Sequence, residues 1–126
     1  MPDDTNFLTL FDKSTDIRKL KSGELLFAKG DEAHEMFIVR SGELQIADGN
    51  IVFETVGPGG MIGEMAIVDK APRSATVKAL TAAEVIPVDE KRFLWMVVQT
   101  PYFAIRVLRT LTTRLRKTNE IAKAMH

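Results

Sequence analysis

The sequence contains no cysteine, which removes disulfides, cysteine-ligated zinc, iron–sulfur clusters and thiol chemistry together. That composition fits a reducing compartment, and a cytoplasmic location is the expectation. Histidine is almost as scarce, with His34 in the polar stretch GDEAHE and His126 as the last residue. Neither stands with the carboxylate and nucleophile of a hydrolytic set, so both read as surface residues, and neither marks itself as a haem ligand. With no metal set, no triad and no nucleophile, no enzyme activity is expected. Net charge is missing too, since 17 basic residues balance 17 acidic ones, and no global field draws the chain toward nucleic acid or membrane. The longest apolar run, FLWMVV at 93–98, is far below the roughly 20 residues of a membrane-spanning helix. The start, MPDDTNFLTLFDK, is acidic and lacks the basic-then-apolar order of a secretory signal.

What is present fits one soluble domain over residues 1–126, 45% apolar and 27% charged. From residue 23 to 89 short apolar segments alternate with glycine-rich punctuation. ELLFA, EMFIVR, ELQIA, NIVFETV, SATVKA and AEVIPV carry the β-branched and aromatic bias of strands. Asp48-Gly49 reads as a hairpin turn of type I′, whose two central residues need positive φ. Closely spaced strands of this kind predict a mainly β, antiparallel sandwich or barrel. The expected architecture is a β-roll over about 20–89, with a short N-terminal helical segment and C-terminal helices over about 90–125.

After Asp89 the period changes. EKRFLWMVVQT reads as a short helix ending before Pro101, because the residue preceding proline is pushed out of the α region. Trp95 within it is expected in the core. Pro101 suits the first turn of a second, longer helix. There Ala104, Leu108, Leu111, Leu115, Thr118, Ala122 and Met125 recur in steps of four and three, the spacing of a helix packed on a partner helix. A homodimer through this helix is the expectation. Arg106, Arg109, Arg114, Arg116 and Lys117 make the helix basic and read as a solvated face. Nucleic-acid binding would require a wider patch or stacking aromatics.

The most informative stretch is MIGEMAIVDKAPRSATVKA, residues 61–79. Gly63 falls where a strand-like segment turns into one helical turn, whose first N–H groups lack internal partners. Arg73 can grip a phosphate through two N–H donors, and Ser74 adds a hydroxyl. Glu64 is unwelcome beside a phosphate, yet useful as acceptor for a sugar hydroxyl on the same ligand. Arginine plus carboxylate thus suits a nucleotide. The competing reading is a Glu64–Arg73 ion pair that merely closes a loop.

The longer stretch GPGGMIGEMAIVDKAPRSATVKA closely resembles the phosphate-binding cassette of the cyclic nucleotide-binding domain. That family includes bacterial catabolite activator proteins, cyclic-nucleotide-dependent kinases and gated channels. Upstream, SGELLFAKGDEAHEMFIVRSGELQI is similar to its glycine-marked opening, with Gly23, Gly30 and Gly42 in place, and the likeness covers about residues 20–120. The resemblance implies a jelly-roll-like β-roll and a stand-alone sensor of a cyclic purine nucleotide. Glu64 would accept from the ribose 2′-hydroxyl and Gly63 would let backbone approach the ribose. Arg73 and Ser74 would bind the cyclic phosphate with backbone N–H groups of Met65, Ala66 and Ala75. The long helix would act as lid and dimer helix, with Thr118 and Asn119 at the adenine edge. Cyclic AMP is therefore favoured as a regulatory ligand, with cyclic GMP the alternative, and no cofactor is implied. The effector protein that reads the signal is not named by the sequence. No helix-turn-helix follows the long helix before His126, so direct DNA reading is not expected. Two alternatives stand beside the sensor: an interaction domain that keeps the fold without binding nucleotide, and the sensor fragment of a larger regulator.

Overall fold

The structure, a computed structural model, describes residues 16–124. The expected N-terminal helical segment falls before these residues, and Met125 and His126 lie beyond them. Eight strands come first: β1 (Arg18–Leu20), β2 (Leu25–Phe27), β3 (Glu35–Ser41), β4 (Leu44–Asp48), β5 (Ile51–Val56), β6 (Met61–Ile62), β7 (Thr76–Ala79) and β8 (Ala83–Asp89). One helical turn, α1 (Met65–Val68), interrupts them after β6, and α2 (Glu90–Gln99) and α3 (Tyr102–Ala124) follow. The strands form two antiparallel four-stranded sheets, ordered β1-β8-β3-β6 and β2-β7-β4-β5. This is the mainly β, antiparallel arrangement that the alternating segments imply, in the jelly-roll-like form that the family resemblance implies.

The first sheet is covered on both faces, which explains why β3 reads Met-Phe-Ile-Val without a polar interruption. Phe37 and Val39 point toward the second sheet and pack with Leu44, Val56, Val77 and Val85. Met36 and Ile38 point the other way, against Met96 of α2 and Phe103 and Val107 of α3. Each large apolar side chain buried here contributes about 1.5–3 kcal/mol, so the helices are part of the core. Pro87 sits within β8 opposite Phe37. It is tolerated because β1 pairs with β8 only from Ala83 to Val85, leaving that edge of β8 open at the proline.

Helix boundaries follow local chemistry. Asp89 caps α2 by accepting from the N–H of Arg92 at 2.8 Å. The N–H of Ala104 donates to the Pro101 carbonyl at 3.0 Å, placing the proline in the opening turn of α3.

Three expectations need correction. The hairpin turn lies one residue later, because Asp48 pairs with Ile51 and the loop is Gly49-Asn50. Positive φ falls on Gly49 alone, at +59°, as a type II′ turn requires at its first central residue. Trp95 is 52% exposed, since Phe93, Met96 and Val97 form the inward face of α2. The seam expected on α3 is split: Leu111 packs against the protein's own core, while Leu108 and Leu115 are exposed.

Candidate functional site

The inner face of the second sheet carries one row of side chains across all four strands. Phe27 stands opposite Val77, Val77 opposite Ile46, and Ile46 opposite Glu54. All four line a cavity of about 330 Å3, within the size range of small-ligand pockets. The segment from Ile62 to Ala66 and the segment from Ala71 to Ala75 form further walls, and α3 contributes Leu111, Arg114, Leu115, Lys117 and Thr118. Gly63, Glu64, Met65, Ala66, Arg73, Ser74, Ala75 and Thr118 therefore meet in one cavity. Asn119, expected at its adenine end, is exposed and is not part of the wall.

Gly63 turns the chain from β6 into α1 with φ of +76°. A Cβ there would lie 2.5 Å from Nη1 of Arg73. The glycine thus makes room for the guanidinium as well as for the turn. One backbone donor of the expected cradle is already engaged, because the Ala66 N–H donates to the Gly63 carbonyl at 3.1 Å.

Arg73 is pinned through its backbone. Its N–H donates to the Asp31 carbonyl at 2.9 Å, and its carbonyl accepts from the Gly30 N–H at 2.8 Å. The residue is 8% exposed. Its guanidinium lies 4.1 Å from the ring centre of Phe27 and donates to the Gly63 carbonyl over a long 3.4 Å. The buried Nε has no hydrogen-bond partner, and Arg73 forms no ion pair with any described residue. Burial pushes the guanidinium down from its ordinary value, against the pull of Glu35 and Asp31. A buried cation with unused donors is costly by itself. An anion in the cavity would complete it.

Glu64 is 2% exposed and has a partner that sequence reading did not identify. Its Oε2 accepts from Nη1 of Arg114 at 2.6 Å. The loop-closing Glu64–Arg73 ion pair is therefore not what the structure contains. Arg114 also donates from Nε to Glu54 at 2.9 Å and from Nη2 to the Met61 carbonyl. Burial alone would lower its pKa, but the hydrogen bond to Glu54 and the charge of Glu64 outweigh this and raise it. Arg114 escaped the sequence because its helix reads as uniformly basic. The signal was phase: Phe103, Val107, Leu111 and Arg114 recur along the inward face of α3. Among the described residues, no group of three or more candidate ligands could hold a metal ion. Likewise, no helix among them is long and apolar enough to cross a membrane.

The family model described as "Cyclic nucleotide-binding domain" matches residues 17–100. The CRP-like cAMP-activated global transcriptional regulator of Mycobacterium tuberculosis is 30% identical over 102 residues, 77% of this chain and 46% of the regulator. The chain thus spans less than half the length of that relative. A solved structure of cAMP-bound PfPKA-R superposes with a TM-score of 0.75 at 27% identity, over 85% of this chain and 37% of that one. The structure of PKAR CBD2 bound to Sp-2Cl-cAMPS gives 0.73 at 27% identity, over 85% and 71%.

Proposed function

The chain belongs to the cyclic nucleotide-binding domain family, and on that premise we propose that its cavity binds a cyclic purine nucleotide, cyclic AMP in preference. The observation that carries this reading is Arg73, a buried guanidinium without a carboxylate partner, facing a cavity that also holds Glu64. In this reading Arg73 and Ser74 hold the cyclic phosphate, with Met65 and Ala75 offering backbone N–H groups. Glu64 accepts from the ribose hydroxyl, shared with Arg114. Thr118 meets the base, beside Lys117. The preference for cyclic AMP is supported by what the relatives' names say they bind. The role is that of a sensor acting without chemistry, a regulatory domain of the cytoplasm whose occupancy is read by an effector protein.

Isothermal titration with cyclic AMP and cyclic GMP tests this directly. Saturable binding of either supports the sensor, and the stronger of the two names the base. A second reading is favoured by one observation: Glu64 is already paired with Arg114, as it would be in a domain that keeps the fold for protein contacts alone. Absence of binding by both nucleotides would select it.

For the output we propose a parallel homodimer through the outer stripe of α3. Ile105, Leu108 and Leu115 are 41%, 58% and 63% exposed, and with Thr112 they repeat in steps of three and four. The Thr112 hydroxyl donates back to the Leu108 carbonyl at 2.8 Å, leaving its methyl group to the stripe. Asn119 continues the repeat as the polar position that sets register in a two-stranded coil. Arg109, Arg116 and Lys123 flank one side of the stripe, which disfavours antiparallel pairing, where those cations would face each other.

A further inference from the structure

Glu54 lies outside the cassette, on β5, and its carboxylate reaches the same cavity. The route is a bulge. Ile46 pairs with Glu54 while the next residue, Ala47, pairs with Val52, so Phe53 has no opposite number. In an unbroken strand Phe53 and Glu54 would face opposite sides of the sheet. The extra residue turns both onto the cavity wall.

There Glu54 grips Arg114 side-on, with Oε1 2.9 Å from Nε and Oε2 3.4 Å from Nη2. A guanidinium is planar and its donors are fixed in direction, so holding the Nε edge sets where the other edge points. That other edge, Nη1, meets Glu64 at 2.6 Å. The pair is shielded: the side chains of Arg114 and Glu54 are 19% and 22% exposed, and that of Glu64 only 3%. One cation thus stands between two carboxylates contributed by β5 and by the turn after β6, and it belongs to α3.

We propose that Glu54 is a positioning residue of the binding site, acting through Arg114 to orient Glu64 and to hold α3 against the cavity. The orienting half rests on the nucleotide reading above; the holding half concerns the ligand-free protein and does not. Without Glu54, Arg114 keeps Glu64 and the Met61 carbonyl as partners but loses the hold on its Nε edge, and with it the tightest constraint on its orientation. Helix and acceptor then become loose together.

The test is Glu54→Gln, which keeps the side-chain shape and removes the charge, alongside Arg114→Lys and the double variant. Backbone hydrogen exchange over residues 111–118 of the ligand-free protein is expected to quicken about tenfold in Glu54→Gln, as the loss of a hydrogen bond between charged groups implies. The preference for cyclic AMP over its 2′-deoxy analogue is expected to shrink several-fold. In the Arg114→Lys background, Glu54→Gln is expected to add little, because both substitutions break one unit. Unchanged exchange overturns the proposal. Faster exchange with full 2′-hydroxyl preference overturns the orienting role, and additive effects of the two substitutions overturn the path through Arg114. Should the wild type bind no cyclic nucleotide, the sensor reading fails by itself, while exchange and the double variant still judge the hold on α3.

Discussion

Arg73 and Gly63 work as one unit, since the glycine leaves the space that the guanidinium fills. Arg73→Ala is expected to weaken nucleotide binding by about 30- to several-thousand-fold, the cost of leaving a buried anion without its charged partner. The fold should survive, because the side chain makes no ion pair among the described residues. Unchanged affinity in the folded variant would remove Arg73 from the phosphate site. Gly63→Ala acts on the same atoms from the other side. Its φ of +76° costs a residue with Cβ about 1–2 kcal/mol, and the methyl group must displace Nη1 of Arg73. Lower denaturation midpoints together with weaker titration are expected. A stable variant of wild-type affinity would show that the arginine has another place to sit.

At the scale of elements, α3 has two working faces. Phe103 and Val107 bury into the helix-side core, Arg114 reaches the cavity, with Leu115 at its edge, and Ile105 and Leu108 face outward. A substitution therefore tests assembly only if it stays off the inner face. Leu111→Lys would place a charge against the protein's own core and confound the result. Ile105→Lys with Leu108→Lys is the informative pair, since both are exposed and neither lines the cavity: the thermal midpoint of the monomer should barely move, while sedimentation of the dimer falls to that of a monomer. A wild type that sediments as a monomer with and without nucleotide would end the dimer proposal.

For the whole molecule, a ligand that binds only the folded state stabilises it by mass action. Cyclic AMP at about 100 times its Kd should add about 2.7 kcal/mol, seen as a thermal midpoint raised by several degrees in a domain of this size. Arg73→Ala at the same concentration should gain about 0.9 kcal/mol at most, a third of the wild-type rise or less. A rise of equal size in both proteins would mean that the nucleotide binds away from the cavity. The same experiment with cyclic GMP orders the two ligands without any assumption about base contacts.

The strands, the break at Pro101 and the site segment from Gly63 to Ala75 were legible because each rests on chemistry local to the chain. Side-chain alternation marks strands, proline ends a helix, and a glycine before a short turn with an arginine ten residues on is visible as a string. The resemblance to a known family added roles to those same positions. Tertiary structure decided what depends on which face meets which. It turned Trp95 outward and Leu111 inward, because α2 and α3 lie on a sheet whose other face is already taken. It moved the hairpin turn to Gly49-Asn50 through register, which a one-residue slip in reading cannot reveal. It paired Glu64 with Arg114, 50 residues away, and brought Glu54 beside them through a bulge that no local preference announces. Local pattern sets what each segment can form. The packing of segments chooses which charged groups share a low-dielectric space, and there an ion pair gains or loses several kcal/mol with its geometry.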